Sequence, residues 1–206
     1  ILGLLLGKVG PVSGYRRNGQ NLVRVAGQSR KVRSTPMRTN QRQKIKVCND
    51  FTRAFSGTGF FSKSFPSYGD TGTGYNRATS TIMNLAITGT YPETAVSYPR
   101  VLISKGTLPP ADNAEVAVDT EGNMLFAWTD NAGMGTDKSS DKVILVAYFP
   151  ELKQAITSIG SATRNAGQAL LETSVMKSYA AETWIGFLSH DEKNAADSIY
   201  TGRVEL

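Results

Sequence analysis

The sequence predicts a mainly β protein: a carboxy-terminal β-sandwich over residues 98–206, preceded by a basic arm (1–40) and a helical and loop region (41–97). Three observations predict it. The last hundred residues break into seven or eight short, β-rich segments separated by turn residues. The middle carries apolar residues at three- and four-residue spacing, which is the period of a helix. The first forty residues are rich in Gly, Ser, Asn and basic side chains, a composition with too little apolar surface for a core of its own.

In chain order, Ile1-Leu2-Gly3-Leu4-Leu5-Leu6 is apolar but shorter than a signal-peptide core and has no basic segment before it, so it reads as a strand or docking segment. The sequence opens without methionine, as expected of a processed or partial chain, and it assigns no compartment. Val9, Val12 and Tyr15, then Asn18-Gly19, then Leu22-Val23-Arg24-Val25 fit a two-stranded hairpin about the Asn-Gly turn. From Asn40 to about Ser56, Ile45, Cys48, Phe51 and Phe55 define one apolar helix face, with Thr39 or Asn40 as cap. Residues 57–75 read as a Gly, Ser and aromatic loop whose Phe60, Phe61, Phe65 and Tyr68 require cover. A second helix is expected from Asn76 to about Ile87, with Gly89 as its stop.

Eight strands are then expected: 100–104, 115–118, 124–129, 142–149, 155–159, 169–173, 183–189 and 198–204. Leu125-Phe126-Ala127-Trp128-Thr129, the run Ile144 to Phe149 with its tyrosine, and the closing hairpin from Thr183 to Val204 together resemble a fibronectin type III module. The resemblance covers about half the chain and implies an immunoglobulin/fibronectin-III-like sandwich. Pro109-Pro110 agrees with an edge that cannot extend its pairing. The whole chain also resembles a family of uncharacterised proteins abundant in Bacteroidota. The likeness lies in Gly7-Lys8-Val9-Gly10, Gly14-Tyr15-Arg16-Arg17-Asn18-Gly19, the segment Tyr75-Asn76 to Tyr91-Pro92, Val101 to Pro109, and Tyr200-Thr201-Gly202. That resemblance implies no activity.

Chemistry is scarce. One histidine and one cysteine exclude a zinc site of the usual nitrogen and sulfur ligands and any internal disulfide. His190 falls in a polar turn, and Cys48 on an apolar helix face. Asp70-Thr71-Gly72 is similar to the aspartic protease triplet but has no second copy to share a proton. No glycine cluster is followed by the Lys and Ser or Thr of a phosphate loop. Asp130, Asn131, Asp137 and Asp141 crowd one loop without the spacing of a calcium loop, so solvation is expected there. No cofactor and no metal are expected, and no run approaches the roughly 18 apolar residues of a membrane span.

Charge is the strongest functional signal. Residues 1–54 hold twelve Lys or Arg against the single Asp50, a net of +11; the remainder holds eleven against sixteen, a net of −5. Such asymmetry points to an anionic partner: nucleic acid, a membrane surface, or the acidic body of a neighbouring subunit. The candidate partner-binding residues are Tyr15, Arg16, Arg17, Arg24, Arg30, Lys31, Arg33, Arg38, Arg42, Lys44 and Lys46. The first expectation is a non-enzymatic protein that self-associates or docks into a larger particle, because a Gly-broken, self-repelling leader needs contacts from a second molecule. Nucleic-acid binding through the arm and first helix is the alternative. Surface adhesion or carbohydrate binding is a third, by analogy with the sandwich type; its only sequence support is the aromatics of residues 60–68, which are expected to pack.

Overall fold

The computed structural model describes residues 6–17, 19–27, 34–67, 69, 72–133, 135 and 137–206, and the chain divides into two compact units at Thr35/Pro36.

The first unit is a three-stranded antiparallel meander of β1 (Gly7–Val9), β2 (Val12–Arg17) and β3 (Gln20–Val25). The hairpin expected about Asn18-Gly19 forms as β2 and β3, with Arg17 opposite Gln20 and Gly19 at φ +79°, a value only glycine adopts at no cost. The sequence reading missed β1. Its three residues are too few for a periodic signal, yet they pair fully, Gly7 with Gly14 and Val9 with Val12. The leader thus holds a three-stranded sheet, β1 to β3, where the sequence reading expected a two-stranded hairpin.

The second unit stacks helices on two sheets. Helix α1 (Pro36–Arg53) starts before both expected caps, Thr39 and Asn40, because Pro36 suits the first helical turn, where a missing N–H breaks no bond. Asn40 is therefore inside the helix, and its side-chain oxygen accepts from the Tyr91 N–H at 2.9 Å. The segment read as an aromatic loop contains the short helix α2 (Phe60–Ser64). Helix α3 (Gly74–Leu85) is shifted two residues from the prediction and is capped by Thr73, whose hydroxyl accepts from the Asn76 N–H at 3.2 Å. Ile87, expected to end that helix, instead belongs to β4 (Ile87–Thr88), paired with β5 (Ala95–Val96).

Seven strands follow: β6 (Asp112–Val118), β7 (Met124–Thr129), β8 (Lys142–Phe149), β9 (Gln154–Thr163), β10 (Gln168–Leu171), β11 (Ala180–Leu188) and β12 (Ile199–Glu205). They form two antiparallel sheets, ordered β10-β7-β6 and β12-β11-β8-β9, so the predicted sandwich is the observed architecture. The strand expected at 100–104 is absent. Val101 and Ile103 are buried as a strand pattern would have them, but the backbone there is tied by serines: Ser198 Oγ accepts from the Ile103 N–H, and Ser104 Oγ donates to the Ala196 carbonyl, both at 2.9 Å.

Alternation on β8 explains how the layers join. Val143, Leu145, Ala147 and Phe149 face the core between the sheets, with Phe126, Trp128, Ile185 and Phe187. Ile144, Val146 and Tyr148 point the other way, into a second core with Phe51, Phe55, Phe60, Phe61 and Trp184. The four-stranded sheet is thus buried on both faces, and β8 reads as a nearly unbroken apolar run for that reason. Tyr148, the tyrosine of the run Ile144 to Phe149, lies in the helical core, its ring centroid 4.8 Å from that of Phe51. Each fully buried aromatic contributes roughly 1.5–3 kcal/mol through surface removed from water.

Candidate interaction surfaces

Register assigns every side chain of the first unit to a face. Residues directly opposite in an antiparallel pair share a face, and neighbours along a strand alternate. Val9 opposes Val12, Val12 opposes Val25, and Gly14 opposes Val23, so one face is a patch of valine and glycine, ending at Arg16 and Asn21. Lys8, Ser13, Tyr15, Arg17, Leu22 and Arg24 make the other face. There the Arg24 guanidinium lies 5.5 Å from the Tyr15 ring centroid, within range of a cation–π interaction. Val9, Val23 and Val25 are 56%, 62% and 74% exposed.

Of the predicted partner-binding residues, Tyr15, Arg17 and Arg24 therefore come together, and Arg16 is on the opposite face. Arg30, Lys31 and Arg33 lie outside the described residues. On α1, successive residues rotate by about 100°, which places Arg38, Arg42, Lys46 and Arg53 within an arc of about 80°. All four are exposed. Lys44 projects to the side of Cys48 and Phe51, is half-buried, and does not share that stripe. Lys8 and Arg53 were not among the predicted site residues. Arg53 lies seven residues after Lys46 and eleven after Arg42, a helical spacing that finds it, whereas Lys8 sits in a strand too short to give a periodic signal.

Groups with chemical potential elsewhere serve the fold. Burial pushes the Cys48 thiol up to about 11, and its Sγ donates to the Thr79 carbonyl at 3.6 Å. The loop of Asp130, Asn131, Asp137 and Asp141 was expected to be solvated; three of the four side chains are buried, and the loop turns inward onto Arg164. The Arg164 guanidinium lies 3.4 Å from the Asp141 carboxylate, donates to Asn131 Oδ1 at 2.7 Å and to the Pro109 carbonyl at 3.1 Å, and sits 3.8 Å from the Phe187 ring centroid. Burial opposes its charge, while Asp141, Asp137 and Asp130 sustain it. Among the described residues, no three His, Cys, Asp or Glu side chains are grouped so as to hold a metal ion. His190 is exposed in the turn after β11, next to an ion-paired cluster in which Glu192 meets Lys142 at 2.7 Å and Lys63 at 3.2 Å. Asp70 and Thr71 lie outside the described residues, as does Tyr68. Phe60, Phe61 and Phe65 are buried in the helical core. Among the described residues no helix is long and apolar enough to cross a membrane.

Residues 4–202 match the model of a family of unknown function, DUF6266, and the chain belongs to that family. No curated protein matches the sequence.

Proposed function

We propose that this family member is a non-enzymatic assembly protein that joins copies of itself or a larger particle, such as a filament, shell or virion-like body, through its basic amino-terminal sheet. The observation that carries the reading is the two-faced sheet itself. A three-stranded sheet needs a covered apolar face for lasting stability, and here the valine face is exposed while the opposite face is cationic. The family match begins at residue 4, so this sheet is included in what defines the family rather than being an appendage to it.

Removing residues 1–35 tests the proposal at the boundary between the two units. The remaining unit keeps both of its hydrophobic cores. Light scattering across a concentration series should show the full chain associating and the shortened chain monomeric, while the shortened chain keeps a cooperative unfolding transition. The same number of copies per particle for the two proteins would reject it.

Nucleic-acid binding is the second reading, favoured by the stripe of Arg38, Arg42, Lys46 and Arg53. Four phosphate contacts would give an affinity that falls with salt at a log–log slope of about −3.6 for duplex DNA. An oligonucleotide that is not retained even at low salt removes this reading. Carbohydrate adhesion rested on the loop aromatics, and burial of Phe60, Phe61 and Phe65 withdraws that support.

A further inference from the structure

The second unit carries one more uncovered sheet face, and its chemistry mirrors that of the first. On the three-stranded sheet β10-β7-β6, Met124, Phe126 and Trp128 point into the sandwich. Their neighbours point outward. Leu170, Leu125 and Ala117 form one cross-strand row, and Gln168, Ala127 and Glu115 form the next. Leu125 and Leu170 are 38% and 45% exposed. The only charged residues within these three strands are Asp112 and Glu115. Asp119, Glu121, Asp130 and Glu172 flank them in the adjoining turns, with Lys177 as the basic neighbour of the β6–β7 turn. This is a flat apolar strip inside an acidic rim.

The amino-terminal sheet is the converse. Its valine strip belongs to a segment in which residues 1–35 hold seven basic side chains and no acidic one. Valine-to-valine stacking of two copies would bring these two cationic units within about 10 Å, a sheet-packing distance no longer than the Debye length, so their repulsion would be poorly screened. Packing the same strip onto the acid-rimmed sheet replaces that repulsion by attraction to Asp112, Glu115 and the acidic turns.

We propose that the valine face of the amino-terminal sheet of one copy docks on the outer face of the β10-β7-β6 sheet of a second copy. The inference rests on the assembly reading and gives it a mode. Each copy then meets one neighbour through its sheet and another through its body, a heterologous contact whose repetition yields a head-to-tail ring or filament. Three strands about 4.8 Å apart and some five residues long present roughly 250 Å² per face. That is well below the standard contact of about 800 Å² per partner, so each junction is weak, reversible and salt-sensitive.

The test is complementation. Val23→Asp spoils the sheet face, and Leu125→Asp or Leu170→Asp spoils the body face; all three positions are exposed, so the variants should melt like the parent. In sedimentation at low salt the parent should form a concentration-dependent series of oligomers. Each variant alone should associate at least tenfold more weakly. Mixing the Val23→Asp and Leu125→Asp chains should restore a one-to-one dimer and nothing larger, since each retains one intact surface. Loss of association in Val23→Asp, with both leucine variants associating normally, overturns this docking and leaves the assembly reading standing. A mixture that stays monomeric overturns the heterologous geometry. A parent that is monomeric at every concentration and salt overturns both readings.

Discussion

Replacing Arg164 with alanine should cost about 4 kcal/mol. The side chain is fully buried, and its partners leave little room for water to take its place. Removing one member of a buried ion pair costs roughly 3–5 kcal/mol, because the carboxylate left behind, here Asp141, stays desolvated and unpaired. Loss of the Asn131 bond and of the Phe187 contact acts on the same site, so these terms overlap and are not added to that figure. For a chain of this size, 1 kcal/mol moves the melting temperature by roughly 2–4 °C, which predicts a fall of about 8–16 °C. Urea unfolding followed by tryptophan fluorescence gives the free energy directly. A double variant, Arg164→Met with Asp141→Asn, removes both charges and keeps an oxygen to accept the Lys138 N–H, now at 3.0 Å. It should lose clearly less than the sum of the two single changes. A cost below about 1 kcal/mol for Arg164→Ala, or strict additivity in the double variant, would refute the account of this loop as a buried charge anchor.

Three further outcomes are expected. Burial pushes Tyr148 up to about 12 and also raises Tyr98 and Tyr200, whose neighbour Glu182 adds to the effect. Their protonated forms are favoured by folding, so this stabilisation is whole below the ordinary tyrosine value near 10 and is lost as pH climbs through the raised values. Tyrosinate absorbance should therefore show a late-titrating fraction released with alkaline unfolding; all eight tyrosines ionising together near pH 10 would contradict it. Cys48 should react with a thiol reagent only as fast as the protein unfolds, and rapid labelling of the native chain would count against its burial. Gly74→Ala would drive a methyl group into the Phe61 carbonyl where α3 meets α2, costing roughly 1–3 kcal/mol by overpacking; an unchanged urea midpoint would disprove that packing.

The strands of the sandwich were the most legible part of the sequence. Alternation in Leu125-Phe126-Ala127-Trp128 is a direct record of one wet and one dry face, and β7 shows that pattern. The run from Val143 to Phe149 was legible as a strand but not as a strand buried twice, because period-2 alternation vanishes when both neighbours are apolar. The helical layer explains the miss: Phe51, Phe55, Phe60 and Phe61 are separated from Tyr148 and Trp184 by more than eighty residues, and no local pattern records which face they will cover. The short helix at Phe60 escaped because five residues give barely one turn of periodicity. At Val101 and Ile103 the pattern was right about burial and wrong about pairing, since serine side chains can satisfy backbone groups that a ladder otherwise would. For the candidate surface, the excess of basic residues was plain from composition. Their division between two faces was not, because it depends on register: a slip of one residue would exchange Arg16 with Arg17.

Both faces of the four-stranded sheet are spent on cores, and this decides where the second unit can be met by a partner. One face is closed by the helices and the other by the opposing sheet, which leaves the outer side of β10-β7-β6 as the sheet surface still open to a broad, flat contact. A contact of a few hundred square ångströms there cannot hold two molecules together for long. It gains strength where the series closes into a ring, because the last junction then forms within one assembly at a high effective concentration; an open head-to-tail filament has one contact per junction, and each addition is as weak as the first. Opposite charge on the basic amino-terminal unit and the acidic rim of the sheet adds speed and selectivity to each encounter rather than much lasting affinity. Raising salt should therefore slow the growth of assemblies more than it hastens their decay, and the reverse order in a stopped-flow scattering experiment would show that charge is not what brings the faces together.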